Sequence, residues 1–136
     1  MAARTSKLVF DTWAVLAILQ GEAAGQKALD LMADCLESRG EAYMATINVG
    51  EVWHNVARRR SESDADRAIE ELRAWGIQFN DTDWDLTRQA AKFKAKGKIS
   101  FADAHALALA KQLKCELVTG DKEFKAVDSD VKLRWL

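Results

Sequence analysis

The chain of 136 residues is long enough for one domain with a substantial buried core. Its composition, 49% hydrophobic and 30% charged, is ordinary for a soluble globular protein. The net charge of -1 excludes a global positive field for capturing polyanions, so any nucleic-acid contact must be a local patch.

The N-terminal residues, MAARTSKLVFD, contain only a short apolar run before an aspartate. A signal peptide or a membrane span needs a far longer apolar segment. The two cysteines, Cys35 and Cys115, lie in or beside apolar segments, as small core residues do in a reducing compartment. We therefore expect a cytoplasmic protein with no membrane contact.

Short apolar runs bounded by turn or polar residues predict five strands. They are residues 7–10, 42–45, 77–79, 116–118 and 131–136. Longer segments between them have the apolar spacing of amphipathic helices, as at Val49, Val52, Trp53 and Val56. Because no proline, low-complexity tract or repeat marks a boundary, we predict a single domain over residues 1–136.

Strands that alternate with helices favour right-handed crossovers and a mainly parallel sheet covered on both faces. The predicted fold class is therefore α/β, a three-layer domain with a five-stranded sheet. In such sheets, ligands bind beyond the carboxyl ends of the strands.

Four acidic residues are predicted at that edge. Asp11 directly follows the first strand, Glu51 lies early in the helix after the second, and Asp121 comes shortly after the fourth. Asp103 starts the helix that leads into the fourth strand. Because a crossover helix runs antiparallel to its strand, Asp103 is expected at the same edge.

Carboxylates gathered at one edge repel one another, by about 4 kcal/mol for a pair at about 4 Å and an effective dielectric constant near 20. A hard cation such as Mg²⁺ or Mn²⁺, which prefers oxygen ligands, would relieve this repulsion. One or two such ions can activate a water and steady the leaving oxygen without a histidine or serine nucleophile. The pattern therefore indicates metal-assisted phosphodiester hydrolysis.

Each acid also has a local structural interpretation. Asp11 can cap the helix that follows it, and Asp103 stands three residues after Ser100 in a capping-box arrangement. Asp121 can be an ordinary turn residue, and Glu51 a solvated helix residue. Taken singly these interpretations are favoured, and it is the set of four that indicates a site.

Four segments resemble the successive motifs of the PIN domain. They are LVFDTWAVLAIL, TINVGEV, SFADAHALALA and LVTGDKEF, in the family's order, between residues 8 and 124. The size and the helix-rich plan especially resemble VapC-type toxins of prokaryotic toxin–antitoxin pairs. The resemblance implies a three-layer α/β/α PIN-like nuclease domain.

A magnesium- or manganese-dependent ribonuclease is the activity that this resemblance implies. The metal-binding and catalytic roles fall on the four acids, Asp11, Glu51, Asp103 and Asp121. Thr119 is implied as a supporting hydroxyl, and Thr12 offers a second one beside Asp11, although a threonine in a first helical turn is unremarkable. The implied partners are an RNA substrate, a cognate antitoxin that covers the acidic edge, and a second copy of the chain in a homodimer.

The tryptophans are unevenly informative. Trp13 stands where many members of the family carry a small polar residue, so the entrance beside the first acid is expected to be bulky. Trp53, Trp75, Trp84 and Trp135 are candidates for the core, and an exposed one would indicate an interface.

Basic residues supply candidate RNA contacts. Lys122 and Lys125 flank the acidic edge, and Arg58 and Arg59 belong to a cluster near a helix end, while the segment KFKAKGK, residues 92–98, forms a second cluster. The alternative for both clusters is a solvated helix face or charges that complement a helix C-terminus.

Several other functions remain open. One is a PIN-domain RNA-processing nuclease without an antitoxin, and another is a PIN fold that only binds. A signalling receiver module could use Asp81 as phosphoryl acceptor, but it would need adjacent acids after the first strand, where Thr12 follows Asp11. A haloacid-dehalogenase-like phosphatase would need an aspartate at position 13, which is Trp13.

Overall fold

A computed structural model describes residues 6–127 and 129–136, in which a five-stranded sheet alternates with six α-helices. The strands are β1 (Lys7–Phe10), β2 (Glu41–Ala45), β3 (Ile77–Asn80), β4 (Glu116–Thr119) and β5 (Leu133–Trp135). The helices are α1 (Thr12–Leu19), α2 (Ala23–Glu37), α3 (Thr46–Arg59), α4 (Glu62–Ala74), α5 (Trp84–Lys96) and α6 (Phe101–Leu113), and a 3₁₀ helix follows β4 at Lys122–Ala126.

The predicted α/β class and the five strands are confirmed, and the first four strands agree with prediction within one residue at each end. The fifth is shorter than the predicted 131–136. Among residues 6–127 and 129–136 it is an edge strand that pairs with β4 alone, which has four residues, and the ladder pairs Leu117–Thr119 with Leu133–Trp135. The length of the neighbouring strand therefore limits β5 more than its own apolar pattern does.

The strand order is β3-β2-β1-β4-β5, and every pairing is parallel. This order differs from the 2-1-3-4-5 order of flavodoxin-like receiver folds. Asp81, the residue that a receiver would phosphorylate, lies beyond the edge strand β3 and two strands away from β1. The receiver interpretation is therefore wrong.

Two hydrophobic layers cover the sheet. Val9 of β1 packs with α5, α6 and Phe124 on one face, whereas Phe10 packs with α1, α2 and α3 on the other. Alternate residues of a strand point to opposite faces, so β1 contributes to both layers. Helix α6 is buried along residues 102–110, and its many alanines let it pack closely across the central strands.

The structure corrects one expectation about the core. Trp84 and Trp135 are 69% and 42% exposed, whereas Trp75 packs against the core as expected. Trp84 begins α5 and Trp135 ends the edge strand β5, so neither has a covering element. None of the helices in residues 6–127 and 129–136 is both long and apolar enough to cross a membrane.

Candidate active site

The carboxyl ends of β1 and β4, adjacent at the centre of the sheet, hold the first part of the site. Asp11 is fully buried and caps α1, since its Oδ1 accepts a 2.8 Å hydrogen bond from the backbone N–H of Ala14. Its Oδ2 accepts a 2.5 Å bond from the hydroxyl of Thr119. The same hydroxyl accepts a 3.0 Å bond from the backbone N–H of Asp121. Thr119 therefore fixes the positions of two acids.

The start of α6 brings a third acid to this edge. The Ser100 hydroxyl accepts a 3.0 Å bond from the backbone N–H of Asp103, and a hydrogen bond with Ser100 also lowers the pKa of the Asp103 carboxyl. The carboxylate of Asp103 also meets those of Asp121 and Glu123. One oxygen from each of these three residues lies within 4.8 Å of the other two.

Glu51 is held on the other side of Asp11 by two neutral donors. The Thr12 hydroxyl donates a 2.7 Å bond to Glu51 Oε1, and Asn48 Nδ2 lies 3.4 Å from the same oxygen. Asn48 is fully buried and also donates a 3.1 Å bond to the carbonyl of Ala102, which ties the start of α3 to the start of α6. Thr12 therefore contacts an acid of the site directly.

The protonation of the two most buried acids reflects this crowding. Burial raises the pKa of Asp11 to about 7, with the charges of Asp121 and Glu51 adding to the effect and the bonds from Thr119 and Ala14 opposing it. Burial raises the pKa of Asp103 to about 7 as well, helped by the charges of Asp121 and Asp11. Near neutral pH these carboxyls hold protons that a cation would displace.

The three-carboxylate group of Asp103, Asp121 and Glu123 fits a hard divalent cation. All its donors are carboxylate oxygens, which Mg²⁺ and Mn²⁺ prefer, and their spacing allows one ion to contact all three. Asp11 lies close enough to this group for its charge to raise the pKa of Asp103. Both oxygens of Asp11 already accept hydrogen bonds from the protein.

The local and functional interpretations of the acids turn out to be compatible. Asp121 caps the 3₁₀ helix by accepting a 2.9 Å bond from the backbone N–H of Glu123 through Oδ1. This cap occupies one oxygen and leaves the other available. A carboxylate has enough lone pairs to cap a helix and to bind a ligand.

Two residues of the site were missed by the sequence analysis. Glu123 stands two positions after Asp121 in an exposed turn. Nothing in that position along the chain predicts that its carboxylate lies close to that of Asp103. Asn48 stands three positions before Glu51, which places both on one helix face, and that spacing could have identified it. Its Oδ1 is buried and has no hydrogen-bond partner.

The predicted basic residues are placed unequally. Lys122 and Lys125 are exposed on the 3₁₀ helix that follows Asp121, beside the carboxylates. Arg58 and Arg59 are in the last turn of α3, about 10 Å along the helix axis from Glu51 at 1.5 Å per residue. The lysines thus lie within four positions of Asp121 along the chain, whereas the arginines are about two turns of α3 away from Glu51.

The chain belongs to the PIN domain family, which it matches over residues 8–130. This confirms the family predicted from the four motifs. No curated protein sequence matches the chain significantly.

Solved structures with the same fold include toxin–antitoxin proteins. VapBC2 from Rickettsia felis, bound to a DNA fragment from its promoter, is 17% identical with a TM-score of 0.74 over 96% of this chain and 98% of that one. VapC20 from Mycobacterium tuberculosis, a sarcin-ricin loop cleaving toxin, is 22% identical with a TM-score of 0.68 over 87% and 92%. FitAcB from Neisseria gonorrhoeae is 21% identical with a TM-score of 0.64 over 93% and 95%. The chain therefore has the fold of VapC-type toxins.

Proposed function

We propose that the protein is a magnesium- or manganese-dependent endoribonuclease, and that it acts as the toxin of a VapBC-type pair. The observation that carries the proposal is the three-carboxylate group at the carboxyl edge of a PIN-domain sheet, with the buried Asp11 beside it. A cation bound there would lower the pKa of a water and neutralise charge on a phosphodiester.

The side chains divide the work by their contacts. Asp103, Asp121 and Glu123 would hold the cation, and Asp11 would add negative charge behind them without exposing its own oxygens to solvent. Glu51, partly exposed and oriented by Thr12, would accept a proton from an attacking water.

Lys122 and Lys125 would contact the phosphates that flank the cleaved bond, since they are the basic residues nearest the carboxylates along the chain. Arg58 and Arg59, on the far part of α3, would reach only a longer RNA. His54 is exposed, and His105 is buried with Nδ1 2.7 Å from the Phe101 carbonyl, so neither has a role in this scheme.

The direct test is cleavage of end-labelled RNA by the purified chain with Mg²⁺, with Mn²⁺ and with excess EDTA. We expect cleavage with either metal and none in EDTA. The matched protein control is the Asp103→Asn variant purified identically, because a contaminating nuclease would be present in both preparations. Cleavage that persists in EDTA or in the variant would refute the proposal.

The proposed partners are a cognate antitoxin and a second copy of the chain. The support is that a toxin–antitoxin complex from Klebsiella pneumoniae contains a chain with this fold, 20% identical with a TM-score of 0.63 over 86% of this chain. A basic antitoxin side chain at the acidic edge would replace the charge of the cation and inhibit cleavage electrostatically. Sedimentation should give a dimer, and a monomer at tens of micromolar would contradict that part.

An RNA-processing nuclease without an antitoxin is the alternative. A short upstream gene for a DNA-binding protein would favour the toxin, and an isolated gene would favour the alternative. In both cases we propose a cytoplasmic location, which the free cysteines, Cys35 and Cys115, fit.

A further inference from the structure

Large exposed hydrophobic side chains gather at the same edge of the sheet as the acids. In residues 6–127 and 129–136, those more than a third exposed are Ile47, Trp84, Phe101 and Trp135. Ile47 and Trp84 lie at the starts of α3 and α5, Phe101 begins α6 two residues before Asp103, and Trp135 ends β5. Exposing apolar side chains to water is unfavourable, and their clustering at this edge indicates a ligand that covers them.

Trp13 adds a fifth large apolar side chain in direct contact with the acidic segment. Its indole packs against Gly120, the residue between Thr119 and Asp121. A Cβ atom at Gly120 would lie 2.3 to 2.8 Å from three carbons of the indole, so only glycine leaves room for the ring in this position. Trp13 is partly exposed, so the ring borders both the acids and solvent.

Trp135 flanks the acidic segment on the other side. It pairs in register with Thr119, and it keeps 42% of its surface exposed. The Nζ of Lys125 lies 5.4 Å from the centroid of its ring, which places a positive charge over an aromatic face. Trp13, Phe101 and Trp135 together are called the aromatic collar here.

We propose that the aromatic collar binds unpaired bases of the RNA substrate on either side of the cleaved phosphodiester, with Trp13 and Trp135 as the stacking surfaces. This inference rests on the proposed ribonuclease function and names the side chains that would hold the bases beside the cleaved bond. Trp13, seated on Gly120, positions the base next to the acids, and Lys125 contacts the adjoining phosphate.

The chemistry of the collar favours RNA bases over an apolar protein surface. All three of its members are flat aromatic rings, and base stacking on such rings tolerates any base sequence. Lys125, whose Nζ lies over the Trp135 ring, offers a positive charge for a phosphate near that ring. The net charge of -1 gives no long-range attraction, so contacts to bases must supply affinity that basic proteins obtain from phosphates.

The test compares two fluorescent 12-nucleotide strands, one of adenosines and one an abasic ribose phosphate. Binding is measured by anisotropy in an Asp103→Asn background, so that cleavage does not interfere. Trp13→Ala and Trp135→Ala should each weaken binding of the adenosine strand about tenfold, at the low end of one base–aromatic stack, and leave the abasic strand unchanged. Trp13→Phe should retain most of the affinity.

Gly120→Ala tests the seat of Trp13 without removing the ring. It should displace the indole and weaken the adenosine strand alone, and it serves as the second variant if Trp13→Ala does not fold. The matched control is Trp84→Ala, because Trp84 is a more exposed tryptophan that begins α5, the helix after β3, and β3 is two strands away from β1. That variant should bind both strands as the background protein does.

The outcomes separate this inference from the proposed function. An equal effect of the Trp13 and Trp135 substitutions on both strands, or no effect on either, would overturn the collar as a base-binding surface and leave it as a protein contact. If the adenosine strand paired with a complementary uridine strand binds as tightly as the single strand does, the collar is not a surface for unpaired bases. Absence of Mg²⁺-dependent cleavage by the parent chain would instead refute the ribonuclease.

Discussion

The hydroxyl of Thr119 donates a 2.5 Å hydrogen bond to Oδ2 of Asp11, a residue 108 positions earlier in the chain. Both side chains are fully buried. The bond joins the end of β4 to the start of α1, and the same hydroxyl accepts the N–H of Asp121. One neutral group therefore orients the acids on two neighbouring strands.

Thr119→Val should destabilise the metal-free protein by about 1.5 to 3 kcal/mol at pH 8, because it leaves a buried carboxylate oxygen without its donor. The Thr119 bond lowers the pKa of Asp11, so its loss costs more when Asp11 is charged, and the effect should shrink at pH 5. Urea unfolding at both pH values measures the difference. Thr119→Ser keeps the hydroxyl and should retain most of the stability, while equal losses for Val and Ser would contradict this role.

Asp103→Asn should abolish RNA cleavage, by a factor of at least about 10³, yet leave the metal-free protein as stable as the parent or more so. The substitution keeps the backbone N–H that Ser100 caps, and it removes a carboxyl whose pKa is raised to about 7 by burial and by neighbouring acids. Magnesium should stabilise the parent and have a smaller effect on the variant. Thermal melts with and without Mg²⁺ check both points, with Asp85→Asn, an exposed aspartate in the first turn of α5, as the control. Cleavage of RNA by the Asp103→Asn variant would refute the proposed role of Asp103.

Without metal, the stability of the protein should fall as pH rises from about 4 to about 7. The pKa of Asp11 is about 7 in the folded chain against 3.8 for the free side chain, so the folded state binds more protons across this window. Stability therefore decreases with pH until Asp11 is charged in both states. Asp11→Asn removes this titration, and its advantage over the parent should grow across the window to a few kcal/mol, at about 1.4 kcal/mol per unit of pKa.

Urea unfolding of the parent and of Asp11→Asn at several pH values in EDTA measures that difference. Parallel curves for the two proteins would show that Asp11 titrates normally. Repeating the series with Mg²⁺ should reduce the loss in the parent, because a nearby cation stabilises the charged form.

Glu123→Gln should raise the Mg²⁺ concentration needed for half-maximal activity about tenfold, with a smaller effect at saturating metal. The reason is that Glu123 supplies one of the three carboxylate oxygens grouped within 4.8 Å, and a neutral amide binds Mg²⁺ more weakly. A Mg²⁺ titration of the cleavage rate measures this. Glu62→Gln, an exposed acid in the first turn of α4, is the matched control, and the same titration curve for both variants would exclude Glu123 from the site.

The local sequence determined the elements and the family. Alternating short apolar runs and helical spacing identified the strands near their observed bounds, since each pattern reflects contacts of residues close in the chain. Ser100 and Asp11 were predicted as helix caps for the same reason, because a cap bonds to a backbone N–H within three residues. The four motifs were sufficient to identify the PIN domain family.

Tertiary structure alone decided which acids meet and which tryptophans are exposed. Glu123 approaches Asp103 only because α6 and the 3₁₀ helix begin at the same edge of the sheet, a contact between residues 20 positions apart that no local pattern encodes. Trp135 was expected in the core, yet it lies on an edge strand with one neighbour. The apolar character of a side chain predicts only its tendency to be buried. Whether it is buried depends on whether another element of the fold covers it.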